Sequence, residues 1–516
     1  MPTLGFLIDN RKCIGCHACT VACKSEHEVP LGVDRTWVKY IEKGAFPNNR
    51  RMFTVMRCNH CDHSPCTTIC PVTALYRRDD GVVDFNNDRC IGCKACMQAC
   101  PYDALYIDPA TSTAAKCNFC THRLDAGLEP SCVAVCPEQA IVIGDLDDPG
   151  SKISQLIERH PVQVRKPEKG TKPKLCYIEA DEAALVPSRT EPDRQFIWSR
   201  GDAATNGHSA NTLNVDQSGH DSQLPIITAP PEPSRVYDVR PRPPAWGWEV
   251  VAYTWTKAIA AGSFLAVGAA RLFGSEEMAA AMSVWMGIVA IVFLLATTAL
   301  LIADLKQPKR FLYVLLRPQW KSWLVRGAYA LVSYGGILTI WLVARLVGAD
   351  GLADALLWPG SVLAVLSAVY TAFLFAQAKG RDLWQNPLLS LHLLAHALLA
   401  GGAIWLLFLA ATSNEGTVLA SRLVIGTLVF SLVTLLAEIM TAHPTADARK
   451  AMKMIIGQEY GIQFWVAGVC CGHVLPLVLL WLGGGWALTL AALLVLSGIF
   501  AVERLWILAP QRIPLS

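Results

Sequence analysis

A chain of 516 residues has room for two to four domains, and a hydrophobic fraction of 53% against 17% charged leans towards a membrane protein. A formal charge of +3 is too small to point to nucleic acid, so no nucleic-acid partner is expected. The 19 cysteines are unevenly spread: sixteen lie between Cys13 and Cys136, and only Cys176, Cys470 and Cys471 fall outside.

The chain opens MPTLGFLIDN, without the basic start and long apolar run of an export signal. Arg50-Arg51 is internal and precedes no apolar core, so it does not read as a twin-arginine signal. The expectation is a reducing compartment, where dense cysteines bind metal rather than pair as disulfides.

Four cysteine motifs come next. The first is Cys13-x2-Cys16-x2-Cys19-x3-Cys23. The second is Cys58-x2-Cys61-x4-Cys66-x3-Cys70-Pro71. The third is Cys90-x2-Cys93-x2-Cys96-x3-Cys100-Pro101. The fourth is Cys117-x2-Cys120-x11-Cys132-x3-Cys136-Pro137. Three cysteines in a tight loop wrap three corners of an iron–sulfur cubane, and the fourth points away to a different cluster. Soft iron calls for thiolates. An internal repeat supports this: RKCIGCHACTVAC at 11–23 echoes DRCIGCKACMQAC at 88–100. Two duplicated two-cluster units explain the pattern. Zinc is the competing reading of paired CxxC, but zinc ribbons need neither the third cysteine nor the x3-Cys-Pro ending. His17, Lys24, Arg57, His60 and Lys94 stand beside the motifs and are suited to tuning potentials; the plainer expectation for each is solvation or contact with a partner.

Residues 151–190, with KPKLCYIEA around Cys176, read as a folded appendage. Residues 199–244 are polar and rich in Pro, Ser and Asn, which makes 191–245 a linker lying on a surface. From Trp246 apolar runs of spanning length recur, at roughly 248–271, 279–303, 323–347, 358–378, 388–411, 420–440, 461–483 and 485–505.

The segment from residue 1 to about 190 resembles the four-cluster electron-transfer subunit of the dimethyl sulfoxide reductase and polysulfide reductase family at all sixteen cysteines. The resemblance implies ligands that cross over between motifs. Cluster one would take Cys13, Cys16, Cys19 and Cys136, and cluster two Cys117, Cys120, Cys132 and Cys23. Cluster three would take Cys58, Cys61, Cys66 and Cys100, and cluster four Cys90, Cys93, Cys96 and Cys70. With no cysteine replaced, four [4Fe–4S] clusters are expected.

The membrane half is similar to the eight-helix quinol-interacting anchor of the NrfD or polysulfide reductase type. The matching stretches are WGWEVVAYTWTKAIAAGSFLA at 246–266, DLKQPKRFLYVLLRPQWKSW at 304–323 and YTAFLFAQAKGRDLWQNPLL at 370–389, with FWVAGVCCGHVLPL at 464–477 a looser match. The expected fold is thus a duplicated α+β ferredoxin-like domain over 1–190, the linker over 191–245, and an all-α eight-helix transmembrane domain over 246–516.

Basic residues set the orientation. On the side of the N-terminal domain they include Lys306, Lys309, Arg310, Arg317, Lys321 and Arg326; the other side holds Arg271, Arg345 and Arg422. By the positive-inside rule the iron–sulfur domain is expected on the cytoplasmic face of a bacterial inner membrane. Ionisable residues within spans mark function by default. A quinone headgroup near that face needs donors and a proton exchanger, and the candidates are Tyr253, Lys257, Asp304, Arg310 and His392. His396, Glu438 and His473 are further intramembrane groups. A haem held by His392 or His396 with His473, as in formate dehydrogenase anchors, is not expected.

The resulting expectation is an electron-transfer and anchor subunit relaying electrons between a quinone pool and a separate molybdenum or tungsten bis-pterin subunit. The resemblance favours a sulfur compound such as sulfite as the distant substrate. Two other readings stay open: a proton-translocating module using Glu438 and His473, and a quinone reductase fed by soluble ferredoxin.

Overall fold

Leu4–Asp9 reads LGFLID, apolar on both faces, and such a strand belongs in the middle of a sheet. In the computed structural model it does take the centre of four strands, antiparallel to Ile141–Asp145 and parallel to Leu175–Ile178, with Val162–Gln163 at the edge. Phe6, Leu7 and Ile8 are fully buried. The sheet therefore ties the residues ahead of the first cysteine motif to those beyond the fourth. The structure describes residues 2–44, 47–192, 233–239, 242–412, 417–457 and 459–516. The middle of the expected linker, 193–232, lies outside the described residues.

Thr36–Lys43 and Arg50–Arg57 form a hairpin with Thr36 opposite Arg57 and Lys43 opposite Arg50. The free edge of Thr36–Lys43 pairs with Ser234–Tyr237, a strand inside the stretch expected as linker. Four residues of sequence SRVY show no periodicity of their own. The exposed edge of a distant hairpin supplies the order.

Each copy of the CIGC repeat wraps the start of a short helix, Ala18–Glu26 and Ala95–Ala99. His17 and Lys94, one residue before these helices, both take left-handed backbone angles, with φ of 60° and 62°. Gly92 has φ of 69°, and a Cβ there would stand 2.6 Å from Cβ of Lys306 in the membrane half. Glycine is needed on both counts: the turn is left-handed, and another loop lies against it.

Among the described residues, eight helices are long and apolar enough to cross a membrane. They are α1 Trp248–Phe273, α2 Glu276–Ala303, α3 Trp323–Leu346, α4 Asp350–Gln377, α5 Leu389–Thr412, α6 Thr417–Met440, α7 Gln463–Leu482 and α8 Gly485–Gln511. Helices α1 and α5 are central, 83% and 72% buried over their most apolar stretch; α2 is 28% buried and faces outward. Small residues bring the central pair together: a Cβ on Gly262 would collide with the carbonyl of Ala397, and one on Gly401 with that of Gly262. The break between α7 and α8 falls at Gly483 and Gly484, both with positive φ. Helix α4 starts at Asp350, ahead of the expected 358, and carries Pro359 inside it. Its polar first turns are balanced by Arg345 of α3, which pairs with Asp350 at 2.7 Å and with Asp354, so the helix extends beyond the apolar run.

The two halves share one apolar core. Trp246 stacks on Phe375 and Trp384, with ring centroids 5.6 and 5.5 Å away, and its Nε1 donates to the carbonyl of Cys93 at 3.1 Å.

Candidate functional site

The motif loops place the cysteines in four groups, each combining two motifs. Cys70, Cys90, Cys93 and Cys96 line one small cavity. Cys13, Cys16, Cys19 and Cys136 line another. Cys23 stands with Cys117, Cys120 and Cys132, and Cys61 and Cys66 stand with Cys58 and Cys100. These are the sets that the family resemblance implies. The groups follow one another: Cys117 lies beside Cys58, and Cys66 beside Cys96. Burial pushes the Cys100 thiol up to about 11 and the Cys61 thiol up to about 12. Thiolates gathered in this way are stable only if cations neutralise them. Four convergent sulfurs around each space fit a cubane cluster.

Backbone amides point at the sulfurs. The N–H of Ala74 donates to Cys70 Sγ at 3.2 Å, and that of Ala140 to Cys136 Sγ at 3.3 Å. Arg57 differs from its solvated expectation. It is fully buried at the end of its strand, lies 4.5 Å from the ring of Phe6 and donates from Nη1 to Cys132 Sγ at 3.2 Å. His60 is also buried, with Nδ1 accepting the Val83 N–H at 3.2 Å. Lys24 pairs with Asp34 at 2.9 Å.

The group of Cys70, Cys90, Cys93 and Cys96 meets the membrane half. Lys94 pairs with Asp304 at 2.6 Å, and Ser322 Oγ donates to the carbonyl of Ile69 at 2.7 Å. Directly behind lies a cavity of about 420 Å³ between α1, α2, α3 and α4. Its wall includes Cys93, Trp246, Tyr253, Thr298, Asp304, Thr339 and Tyr370 and is otherwise apolar. Leu295 and Val332, at its outer edge, are exposed on the face that lipid covers. Burial raises the Asp304 carboxyl above its usual range, and the Lys94 ammonium opposes this.

The structure divides the five residues that the sequence offers for a quinone. Tyr253 and Asp304 line the cavity. Lys257 stands one layer behind, hydrogen-bonded to Thr371, with Nζ 4.5 Å from the Tyr370 ring. Arg310 lies outside, donating to the carbonyls of Asn87 and Cys90 at 2.6 and 3.0 Å. His392 belongs to a separate buried group: its Nδ1 is 2.8 Å from Glu438, and His396 Nδ1 is 2.8 Å from Glu503. Both ring nitrogens of His473 have partners, Ser431 Oγ and the carbonyl of Gly468, each 2.9 Å away. Glu503 is absent from the sequence candidates because the last apolar run ends near 505, where a Glu503-Arg504 pair resembles a helix end; α8 continues to Gln511.

An iron–sulfur electron-transfer domain joined to a multi-pass membrane anchor is the class that this arrangement defines. Residues 50–146 match the 4Fe-4S dicluster domain model, and residues 239–513 match the model of polysulphide reductase, NrfD. The protein belongs to the NrfD polysulphide reductase family, with the iron–sulfur domain fused ahead of the anchor. Over 193 residues it is 45% identical to a tetrathionate reductase subunit of Salmonella typhimurium, covering 36% of this chain and 77% of that one. A polysulfide reductase chain of Wolinella succinogenes is 44% identical over 179 residues, 34% of this chain and 93% of its own. Protein NrfC of Escherichia coli is 46% identical over 177 residues, 34% of this chain and 79% of its own.

Proposed function

We propose that the chain relays electrons between a membrane quinone pool and a separate bis-pterin molybdenum or tungsten subunit acting on a sulfur compound. One observation carries this reading: the lipid-side cavity shares Cys93 with a four-cysteine group and presents Tyr253 and Asp304 to whatever fills it. An apolar ring bearing two carbonyls matches such walls. Tyr253 Oη serves as a donor to one carbonyl. The Asp304 carboxylate, held by Lys94, serves as the group that exchanges a proton. The clusters, bound by sixteen thiolates, supply one-electron steps between the two ends. The far end is the group of Cys13, Cys16, Cys19 and Cys136, where Cys16 is exposed. Ile14, Val21 and Val135 beside it are exposed apolar residues, as a docking surface for the catalytic subunit requires. Relatives named as parts of tetrathionate and polysulfide reductases support both the partner and the sulfur chemistry.

The division into a domain at 1–190, a linker at 191–245 and an anchor at 246–516 belongs to this reading. So does a cytoplasmic position for the iron–sulfur domain, supported by the excess of basic residues on its side. Anaerobic addition of a quinol analogue to the purified chain should reduce the clusters. In the Tyr253→Phe, Asp304→Asn double variant the rate should fall at least tenfold, with iron unchanged at about sixteen atoms per chain. Equal rates in the two proteins would remove the pocket. Purification without a large molybdenum- or tungsten-containing subunit, together with direct reduction by a soluble ferredoxin, would remove the partner.

A further inference from the structure

A second polar site lies in the membrane half among α5, α6 and α8, built from residues that do not line the quinone cavity. His392 and His396 stand one turn apart on α5, with ring centroids 4.2 Å apart. Histidines at positions i and i+4 present two nitrogens on one helix face, the spacing that helical metal sites use. Glu503 of α8 faces both rings: its Oε1 is 2.8 Å from His396 Nδ1 and 3.7 Å from His392 Nε2. One ligand atom from each of the three residues falls within 4.8 Å of the others. All three side chains are buried.

Two observations distinguish this from an ordinary helix–helix hydrogen bond. The first is an orphaned atom. Nε2 of His392, which faces Glu503, is buried without a hydrogen-bond partner. Buried polar atoms are rarely left so. The second is the carboxylate behind the first histidine. Glu438 of α6 lies 2.8 Å from His392 Nδ1. When it accepts the Nδ1 proton, the Nε2 lone pair of His392 is left facing Glu503. A carboxylate that orients a histidine in this way is the usual support of a metal-bound imidazole.

Distance and charge agree. Metal bonds of about 2.0–2.2 Å to nitrogen and oxygen separate neighbouring ligands of a tetrahedral ion by about 3.3–3.5 Å. The spacings of 2.8 and 3.7 Å to Glu503 bracket that value. Among the described residues, the ion-pair partners of Glu438 and Glu503 are these histidines alone. Two carboxylates buried in an apolar interior are costly, and the Lys257 ammonium, whose charge reaches Glu503, offsets only part of that cost. A divalent cation held between the imidazoles and Glu503 offsets the rest.

We propose that His392, His396 and Glu503 bind a divalent first-row transition metal, with Glu438 as the positioning residue for His392. Two imidazoles and one carboxylate match zinc, which takes this set with its fourth position open. The ion clamps the first turns of α5 to α8 and reaches α6 through Glu438. The inference does not depend on the quinone reading, because the two sites share no residue.

The full chain, purified anaerobically without chelator and on a column free of metal, is to be measured for zinc and iron together. The expected result is one zinc per chain in addition to the cluster iron. His396→Ala and Glu503→Gln should each lower zinc at least fivefold and leave iron unchanged. Zinc X-ray absorption of the unaltered protein gives an answer even where the variants fail to insert. A first shell of nitrogen and oxygen supports the site; a sulfur shell would put the zinc on the cysteine motifs and overturn it. A separate high-spin ferrous Mössbauer signal removed by Glu503→Gln also supports the site, with iron as the ion. A chain that holds no metal beyond its clusters overturns the proposal and leaves the four residues as a proton-handling set.

Discussion

Arg57 is the cation most closely tied to the cysteine groups. Its Nη1 donates to Cys132 Sγ, and the charge sits against the Phe6 ring in a dry interior. A positive charge there favours the more negative, reduced cluster, so removing it should lower the reduction potential. A hydrogen bond to a charged group contributes about 1.5–3 kcal/mol, which for one electron is on the order of 60–130 mV. Arg57→Met should therefore shift one midpoint downward by that order in an EPR-monitored titration, and Arg57→Lys by less. Unchanged midpoints with full iron would reduce Arg57 to a packing role. Lys39 is a second buried cation, 3.7 Å from Asp238, and burial lowers its pKa to about 7. Between about pH 7 and 10.5 the folded chain holds Lys39 neutral while the unfolded chain keeps it charged. The unfolded state then binds more protons, so the share of stability tied to Lys39 rises with pH across that window. Thermal unfolding of Lys39→Met should show a flatter profile from pH 7 to 9 than the parent.

At the level of elements, the crossing of α1 and α5 depends on the absence of side chains. A Cβ on Gly262 overlaps the Ala397 carbonyl, a backbone atom that cannot rotate away. Gly262→Ala must push the two central helices apart, at a cost of about 1–3 kcal/mol as for other overpacked cores. A lower unfolding temperature in detergent, with iron retained, is the expected result; an unchanged temperature would mean that the crossing is looser than the backbone distances require. Which elements are legible in the sequence follows from where their information lies. Apolar runs of spanning length are local, so six of the eight spans can be read to within a few residues, while α8 reads short of Gln511 because Glu503 and Arg504 look like a helix end. Helix α4 reads short because Asp350, Asp354 and Pro359 look like a loop until Arg345 is brought against the two aspartates. Ser234–Tyr237 does not read as a strand because its order comes from the edge of Thr36–Lys43. The cysteine spacing marks the residues expected to hold iron. That Tyr253 and Asp304 share a cavity while His392 does not depends on helix packing, which spacing does not record.

At the scale of the whole molecule, the joint between the halves decides whether the wire reaches the membrane. It combines ion pairs with an apolar core. Lys94–Asp304, Arg242–Asp103, Lys169–Asp382 and Lys166–Asp447 cross it, and Trp246, Phe375 and Trp384 stack within it. Arg310, one of the basic residues read for the orientation, also serves here, since it binds the carbonyls of Asn87 and Cys90 rather than headgroups. Ion pairs weaken when salt shortens the screening length to about 3 Å at 1 M, whereas apolar contacts do not. A protease site inserted between residues 200 and 230 would cut the covalent tether and leave Ser234–Tyr237 paired with Thr36–Lys43. After cleavage, the iron-bearing fragment should stay on the membrane through a wash in 1 M salt. Release of the fragment by salt alone would mean that the ion pairs hold the joint and that the stacked aromatics contribute little.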